Sequence, residues 1–226
     1  MRIAEITLQT DRLHEMKQFY SVVLEFPIEE ETTESFTVQA GQSRLIFQQS
    51  FSSKGFYHFA FTIPANQLEE AGQWVQRKGI SLYTKDNKNQ YFFEDWNATA
   101  FYFYDPQGNL VEFIAHHALQ NAAQSPFGAH SMIRISEIGL PLYQFEEGLA
   151  RICEDFSLQV WRGGSKQFAG VGDEEGLFIL IDMTRPWFPD GRMPVVAPVK
   201  VVIEGKANHF VELSGLPYHL GSATVH

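Results

Sequence analysis

Apolar and polar positions along this chain alternate, switch to helical spacing, and alternate again in a recurring order. Arg2 to Leu8 (RIAEITL) sets Ala4, Ile6 and Leu8 on one face and Ile3, Glu5 and Thr7 on the other, which predicts a half-buried strand. Thr10 or Asp11 then caps a helix whose apolar positions Leu13, Met16, Phe19 or Tyr20, and Val23 follow helical spacing until Pro27 ends it. Strands are predicted near Glu31 to Phe36, from Phe36 to Ala40, and from Arg44 to Gln49 after a turn at Gly41. The unit reads βαβββ.

The pattern then restarts. In Phe56 to Ile63 (FYHFAFTI) the bulky Tyr57, Phe59, Phe61 and Ile63 alternate with His58, Ala60 and Thr62, so the imidazole lies on the side with small neighbours. Asn66 and Glu69 open a second helix with Leu68, Ala71 and Val75 on its stripe and Gly79 at its end. Strands near Ile80 to Thr84, Tyr91 to Phe93 and Ala98 to Tyr104 lead to Asp105-Pro106-Gln107-Gly108, a type I turn signature that joins two hairpin strands. In the second of these, Leu110, Glu112 and Ile114 share a face. A carboxylate between two aliphatic neighbours is costly to bury without a metal, an arginine or a hydrogen-bond network.

Arg134-Ile135-Ser136-Glu137-Ile138-Gly139-Leu140 echoes residues 2–8 at five of seven positions with a constant offset, 134 − 2 = 132, which marks a third repeat. Its helix runs through Phe145, Leu149, Ile152 and Phe156, with strands near Leu158 to Arg162, Lys166 to Val171 and Leu177 to Ile181. One more strand is expected over Val195 to Glu204, and the tail from Lys206 lacks a helix followed by three strands, so a fourth repeat looks truncated. The predicted organisation is an α+β fold of three to three and a half βαβββ modules. An N-terminal domain over 1–118 holds modules 1–50 and 55–118, a small and polar linker covers 119–131, and a partial C-terminal domain covers 132–226. An incomplete half with an open sheet edge leads to the expectation of a homodimer.

Composition narrows the partners. The chain of 226 residues carries 17 basic and 27 acidic side chains, 17 − 27 = −10, which disfavours a phosphate backbone and leaves small cations or neutral organic molecules as the expected ligands. Its single cysteine, Cys153, excludes an internal disulfide. No apolar run reaches membrane-spanning length and the N-terminus alternates like a strand, so a cytoplasmic protein is the expectation.

Three segments resemble the vicinal oxygen chelate superfamily of glyoxalases, bleomycin-resistance proteins, fosfomycin-modifying enzymes and extradiol dioxygenases. They are Gln18 to Phe26 (QFYSVVLEF), Tyr57 to Phe61 (YHFAF) and Asp105 to Phe113 (DPQGNLVEF). The resemblance implies paired modules curled into a cup, with a divalent metal (Zn, Ni, Mn or Fe) on side chains from first and last strands. Carried over position by position, the ligands are Glu5, His58 and Glu112, with Glu5 or Glu112 moving a proton in glyoxalase-type chemistry. A fourth ligand would fall at Phe47, or at Gln48 with a one-residue slip. Extradiol ring cleavage needs a second imidazole that the sequence does not clearly supply, and a non-catalytic, bleomycin-binding type of cup is a third reading.

Each candidate has a plainer explanation. His58 could be a core histidine bonded to a backbone group, and Glu5 and Glu112 could be salt-bridged, with Arg2 or Arg44 as partner. Glu137 echoes Glu5 but has no histidine beside it in its own half, which makes it a structural remnant or an interface group. His14 reads as a solvated helix residue, and His116 and His117 as strand-end surface residues. Tyr102 and Tyr104 share a face that would line the cup. The segment Arg185 to Arg192 (RPWFPDGR) reads first as packing and second as a lid.

Overall fold

The turn at Asp105-Pro106-Gln107-Gly108 forms as its chemistry dictates. The Gly108 N–H donates to the Asp105 carbonyl at 2.9 Å, and Gly108 takes φ 82°, a left-handed conformation that costs glycine little. In this computed structural model, which describes residues 1–51, 55–205 and 209–224, that hairpin closes the second of four sequential modules.

The first module runs β1 (Ile3–Thr10), α1 (Leu13–Lys17), β2 (Ile28–Glu31), β3 (Ser35–Ala40) and β4 (Ser43–Gln49). Its helix widens into a π-helical stretch over Gln18–Val23 and stops at Glu25, which has φ 57°. The second module comprises β5 (His58–Thr62), α2 (Leu68–Arg77), β6 (Tyr91–Phe93), β7 (Ala98–Tyr104) and β8 (Leu110–His116). The third has β9 (Arg134–Leu142), α3 (Phe145–Phe156), β10 (Phe168–Asp173) and β11 (Gly176–Asp182). Three strands end the chain, β12 (Val199–Glu204), β13 (His209–Glu212) and β14 (Tyr218–Ala223), with no helix among the described residues between them.

Some predicted strands shift or vanish. The polar second strand begins at Ile28 rather than near Glu31, and Ile80 to Thr84 forms no strand, although the Tyr83 N–H still reaches the Tyr102 carbonyl at 2.7 Å. Leu158 to Arg162 contributes a single bridge, Val160 to Val171. Residues 206–208 and 225–226 of the tail lie outside the described residues.

The modules combine into two curled mixed sheets of seven strands each. One has the order β13-β14-β12-β1-β4-β3-β2, the other β10-β11-β9-β5-β8-β7-β6. The first and last modules therefore share one sheet and the two middle modules share the other, so strand pairing crosses the predicted 119–131 boundary twice. The C-terminal half finds its partners within the chain: β12 pairs antiparallel with β1 and β9 with β5. Two of its strands are thus paired within the chain, while β13 and β10 stand at the outer edges of the two sheets. Residues 119–131 are strapped to the start of α2, where Gln67 Nε2 donates to the Ser125 carbonyl at 2.7 Å and the Phe127 N–H to Glu70 at 2.8 Å. No helix among the described residues is long and apolar enough to cross a membrane.

Strand parity decides which face is which. Ile6, Leu8, Phe59, Phe61, Val111 and Phe113 join Met16, Tyr20 and Val75 of the helices in the main core. The opposite face of the second sheet carries a smaller cluster built on Ala60, Ala100, Tyr102, Leu110 and Ile114, and small residues at its centre leave a hollow.

The hairpin is tied to both sheets through Asp105. Its carboxylate, buried, accepts from Tyr20 Oη at 2.9 Å, from the Asn109 N–H at 3.0 Å and from Asn109 Nδ2 at 2.8 Å, while Asn109 Oδ1 accepts the Tyr57 N–H at 2.8 Å. Burial raises the Asp105 carboxyl to about 6, against the pull of those hydrogen bonds. The folded state therefore holds this proton more tightly than the unfolded chain, and the stability it contributes is present below pH 4 and lost as pH rises through about 6. That shift corresponds to about 3 kcal/mol. Asp105→Asn is expected to flatten the fall in urea midpoint between pH 4 and 7 relative to the parent chain, and parallel pH profiles would show that Asp105 does not titrate in this way.

Candidate metal centre

The floor of the hollow is set by register. Ala60 on β5 sits opposite Glu112 on β8 and opposite Glu137 on β9, so the two carboxylates flank one methyl group in a single row across three strands. His58, two residues before Ala60 on β5, projects from the same face. One ligand atom from each of His58, Glu112 and Glu137 can be chosen such that all lie within 4.8 Å of one another. His58 Nε2 stands 3.5 Å from Glu112 Oε2 and 3.7 Å from Glu137 Oε2, and the side chains are 2–5% exposed.

Sequence reasoning placed His58 and Glu112 here, and the structure brings them together. It does not bring Glu5. That residue lies on β1 in the other sheet, where Glu5 Oε2 accepts from Arg44 Nη1 at 3.0 Å and Glu5 Oε1 from Lys200 Nζ at 3.2 Å. Glu5 is thus the salt-bridged acid and Glu137 the clustered one, reversing the roles expected for the two. Neither candidate fourth ligand reaches the cluster: Phe47 is buried against Tyr20 and Phe36 at ring distances of 5.0 and 5.3 Å, and Gln48 is exposed on the same strand of the first sheet. His14 is exposed as expected, whereas His116 is buried beside Trp161, 5.9 Å away, and only His117 is exposed.

The reversal follows from the repeats. In the second sheet Glu137 pairs with Ala60 and Leu177; in the first, Glu5 pairs with Val202 and Arg44. Superposing these registers puts Lys200 where His58 stands, Gly221 where Glu112 stands and Arg44 where Leu177 stands. The first sheet thus has one acid, a lysine in place of the imidazole, a glycine in place of the second acid, and an arginine in place of a leucine beside them.

Electrostatics fit a cation at the second cluster. Burial raises the Glu112 carboxyl well above its ordinary range, the charge of Glu137 adds to this, and a hydrogen bond from Tyr102 opposes it. The Tyr102 phenol, directly across the ladder from Glu112, is itself held protonated by burial and by both carboxylates. Glu137 Oε1 is buried with no hydrogen-bond partner, an orphaned acceptor that a cation would satisfy. His58 Nδ1 lies 3.1 Å from the Leu110 carbonyl; a proton on Nδ1 completes that bond and turns the Nε2 lone pair toward the carboxylates. The donor set of one imidazole and two carboxylates therefore fits a divalent ion.

Above the cluster lies a cavity of about 440 Å³ walled by Phe92, Phe93, Trp96, Phe168, Trp187 and Phe188, with Glu94, Asp95 and Arg185 also on its lining. The Arg185 to Arg192 loop packs and lines the site together: Trp187 is buried in the smaller cluster with its ring 5.0 Å from the His58 ring, and Phe188 meets Tyr102 at 6.1 Å on the cavity wall. Trp187 fits because position 139 is glycine. A Cβ there would fall 2.6 Å from the Trp187 ring. Tyr102 lines the hollow as predicted, while Tyr104 donates to Asp190 at 3.0 Å. Glu137, Trp187 and Arg185 were missed as site residues; the glycine inside the β9 pattern was the available signal of a close approach.

Residues 2–113 match the family model described as the glyoxalase/bleomycin resistance protein/dioxygenase superfamily. That N-terminal stretch, just under half of the chain, belongs to the superfamily. Among solved structures it is similar to a provisionally named dioxygenase from Bacillus subtilis subsp. subtilis str. 168, at 12% identity and TM-score 0.66 over 98% of this chain and 85% of that one. It is likewise similar to an E144Q mutant of glyoxalase I from Zea mays, at 11% identity and TM-score 0.59 over 98% and 93%. At such identities these structures show the shared fold. None of the curated proteins matches significantly.

Glu137→Gln is expected to weaken binding of Zn²⁺ or Mn²⁺ by on the order of 100-fold in calorimetric titration, since loss of a direct ligand should cost at least as much as loss of its supporting shell. Glu5→Gln should leave that affinity within about twofold, given its place in a separate ion-paired cluster. Equal effects of the two substitutions would contradict the assignment.

Proposed function

We propose that the protein is a divalent-metal enzyme of glyoxalase type, acting on a small molecule that presents neighbouring oxygen atoms. The observation that carries this reading is the convergence of His58, Glu112 and Glu137 on one point under an aromatic cavity. A divalent ion held by these three side chains would supply Lewis-acid polarisation of a substrate oxygen.

The chain's own residues supply the rest. Glu112 is the proton carrier: as a carboxylate it accepts a proton at oxygen from a carbon beside a carbonyl, and the resulting acid, a form that burial favours, returns the proton to the neighbouring carbon. Tyr102 keeps its proton and orients Glu112 from across the ladder. Trp187 and Phe188 exclude water from the row, which strengthens each polar contact beneath them. Extradiol cleavage loses ground, because the cluster contains one imidazole and His116 is not part of it. The aromatic walls give specific support to one other reading, a non-catalytic binder of small molecules.

Metal content separates the two. Purified protein is expected to carry close to one divalent ion per chain, and resupplying the ion to chelator-treated protein at about 100 times its dissociation constant should stabilise it by about 2.7 kcal/mol in thermal melts. Protein without metal, unresponsive to Mn²⁺, Ni²⁺, Zn²⁺ and Fe²⁺, would favour the binder. In metal-binding protein, Glu112→Asp should retain the ion yet lower turnover of a 2-oxoaldehyde hemithioacetal by on the order of 100-fold, because general acid–base catalysis depends on reach. Unchanged turnover would remove Glu112 from the proton-transfer role.

A further inference from the structure

Arg185 is the cation on the lining of the cavity, and its charge is unspent. It stands three residues beyond the end of β11, its N–H donating to the Asp182 carbonyl at 3.0 Å, in a turn that Thr184 braces by donating its own N–H to Asp182 Oδ1 at 2.8 Å. The guanidinium lies over the Phe168 ring, 4.4 Å from its centre. Such stacking engages the face of the group and leaves its five N–H donors on the edge. Among the described residues none of those donors has a hydrogen-bond or ion-pair partner, although the rim acids Glu94 and Asp95 belong to the same cavity. Partial burial with no compensating anion lowers its pKa. The other arginine on this loop contrasts with it: Arg192 is tied to the fold through Nε to Asp190 at 2.5 Å and Nη1 to the Gly108 carbonyl at 2.8 Å, with only its buried Nη2 unpaired among the described residues.

We propose that Arg185 is a specificity-determining residue that receives the oxyanion of a ligand with a flat apolar body, so that the molecule taken by this cavity is an organic acid rather than a neutral or cationic compound. The body lies between Trp187, Phe188, Phe93 and Phe168, and the acid group meets the open edge of the guanidinium. This placement puts the anion on the side wall, where a forked pair of charge-assisted bonds is available, and keeps it apart from the Glu112–Glu137 floor. It departs from the expectation, drawn from the net charge of −10, of a small cation or a neutral organic molecule. The inference deepens the proposed function by naming its substrate class, and it rests on that reading only in taking the cavity as the binding site.

The test uses full-length protein, both chelator-treated and Mn²⁺-loaded, and follows tryptophan fluorescence, because Trp96 and Trp187 wall the cavity. The probes are 3-phenylpropanoate, phenyl phosphate and the neutral 3-phenylpropanamide. At least one anion is expected to bind roughly tenfold or more tightly than the amide, in keeping with a charge-assisted pair. Arg185→Met should abolish that preference without weakening the amide, and Arg185→Lys should retain part of it. A stronger response to phenyl phosphate would identify a phosphate head, and a stronger response to phenylpropanoate a carboxylate. Amide binding as tight as either anion, no binding of any probe, or an anion preference that survives in Arg185→Met would overturn the proposal. If the preference persists in protein that binds no metal, the metalloenzyme reading fails and this one stands; if metal binds and the preference is absent, the reverse holds.

Discussion

Two carboxylates on either side of one alanine are the constraint around which the second sheet is arranged. Glu112 and Glu137 are nearly sealed from water, and neither has an arginine or lysine within salt-bridge distance among the described residues. Like charges so placed cannot both persist unless a proton or a cation intervenes. The structure prepares for both answers. His58 offers a lone pair between them, and Tyr102 leans on Glu112 from the next strand. The hollow exists because Ala60, Ala100 and Gly139 withhold side chains where the neighbouring strands approach.

The rest of the fold delivers these residues to one place. Pairing of β5 with β8 belongs to one module, but pairing of β5 with β9 joins two modules, so Glu137 reaches the row only because the third module docks beside the second. The Asp105 network clamps the hairpin that carries Glu112, linking the first helix through Tyr20 and the start of β5 through Asn109. The loop after β11 brings Trp187 over the imidazole and Arg185 to the wall. A site made this way spans both halves of the chain, while most of its ligand atoms come from rigid central strands.

Much of this was legible in the sequence. Alternation set the faces of His58 and Glu112 correctly, the DPQG turn fixed the hairpin, and the 132-residue offset revealed that Glu5 and Glu137 hold equivalent places. What alternation could not supply was the choice between them. Parity assigns a side chain to a face of its own strand, but which strand lies next to which is decided by packing between modules. Both acids pass every local criterion. Glu5 differs in what surrounds it, namely Arg44, Lys200 and Gly221 at the positions that Leu177, His58 and Glu112 hold around Glu137. The lack of a helix in the last module, among the described residues, was visible as an absent pattern, and its first strand was predicted, whereas β13 and β14, short and bearing His209, Glu212 and Gly221, carried too weak an alternation to predict. Arg185 and Trp187 sit in a loop, where periodicity carries no information.

The two sheets thus present one design in two states of repair. One keeps an acid neutralised by permanent cations, and the other keeps two acids and an imidazole that call for an exchangeable one. X-ray absorption spectroscopy of the Zn²⁺-loaded protein tests that claim most directly. The account predicts a first shell of nitrogen and oxygen with the scattering signature of a single imidazole; two imidazoles, a sulfur ligand, or a spectrum unchanged by Glu137→Gln would contradict it.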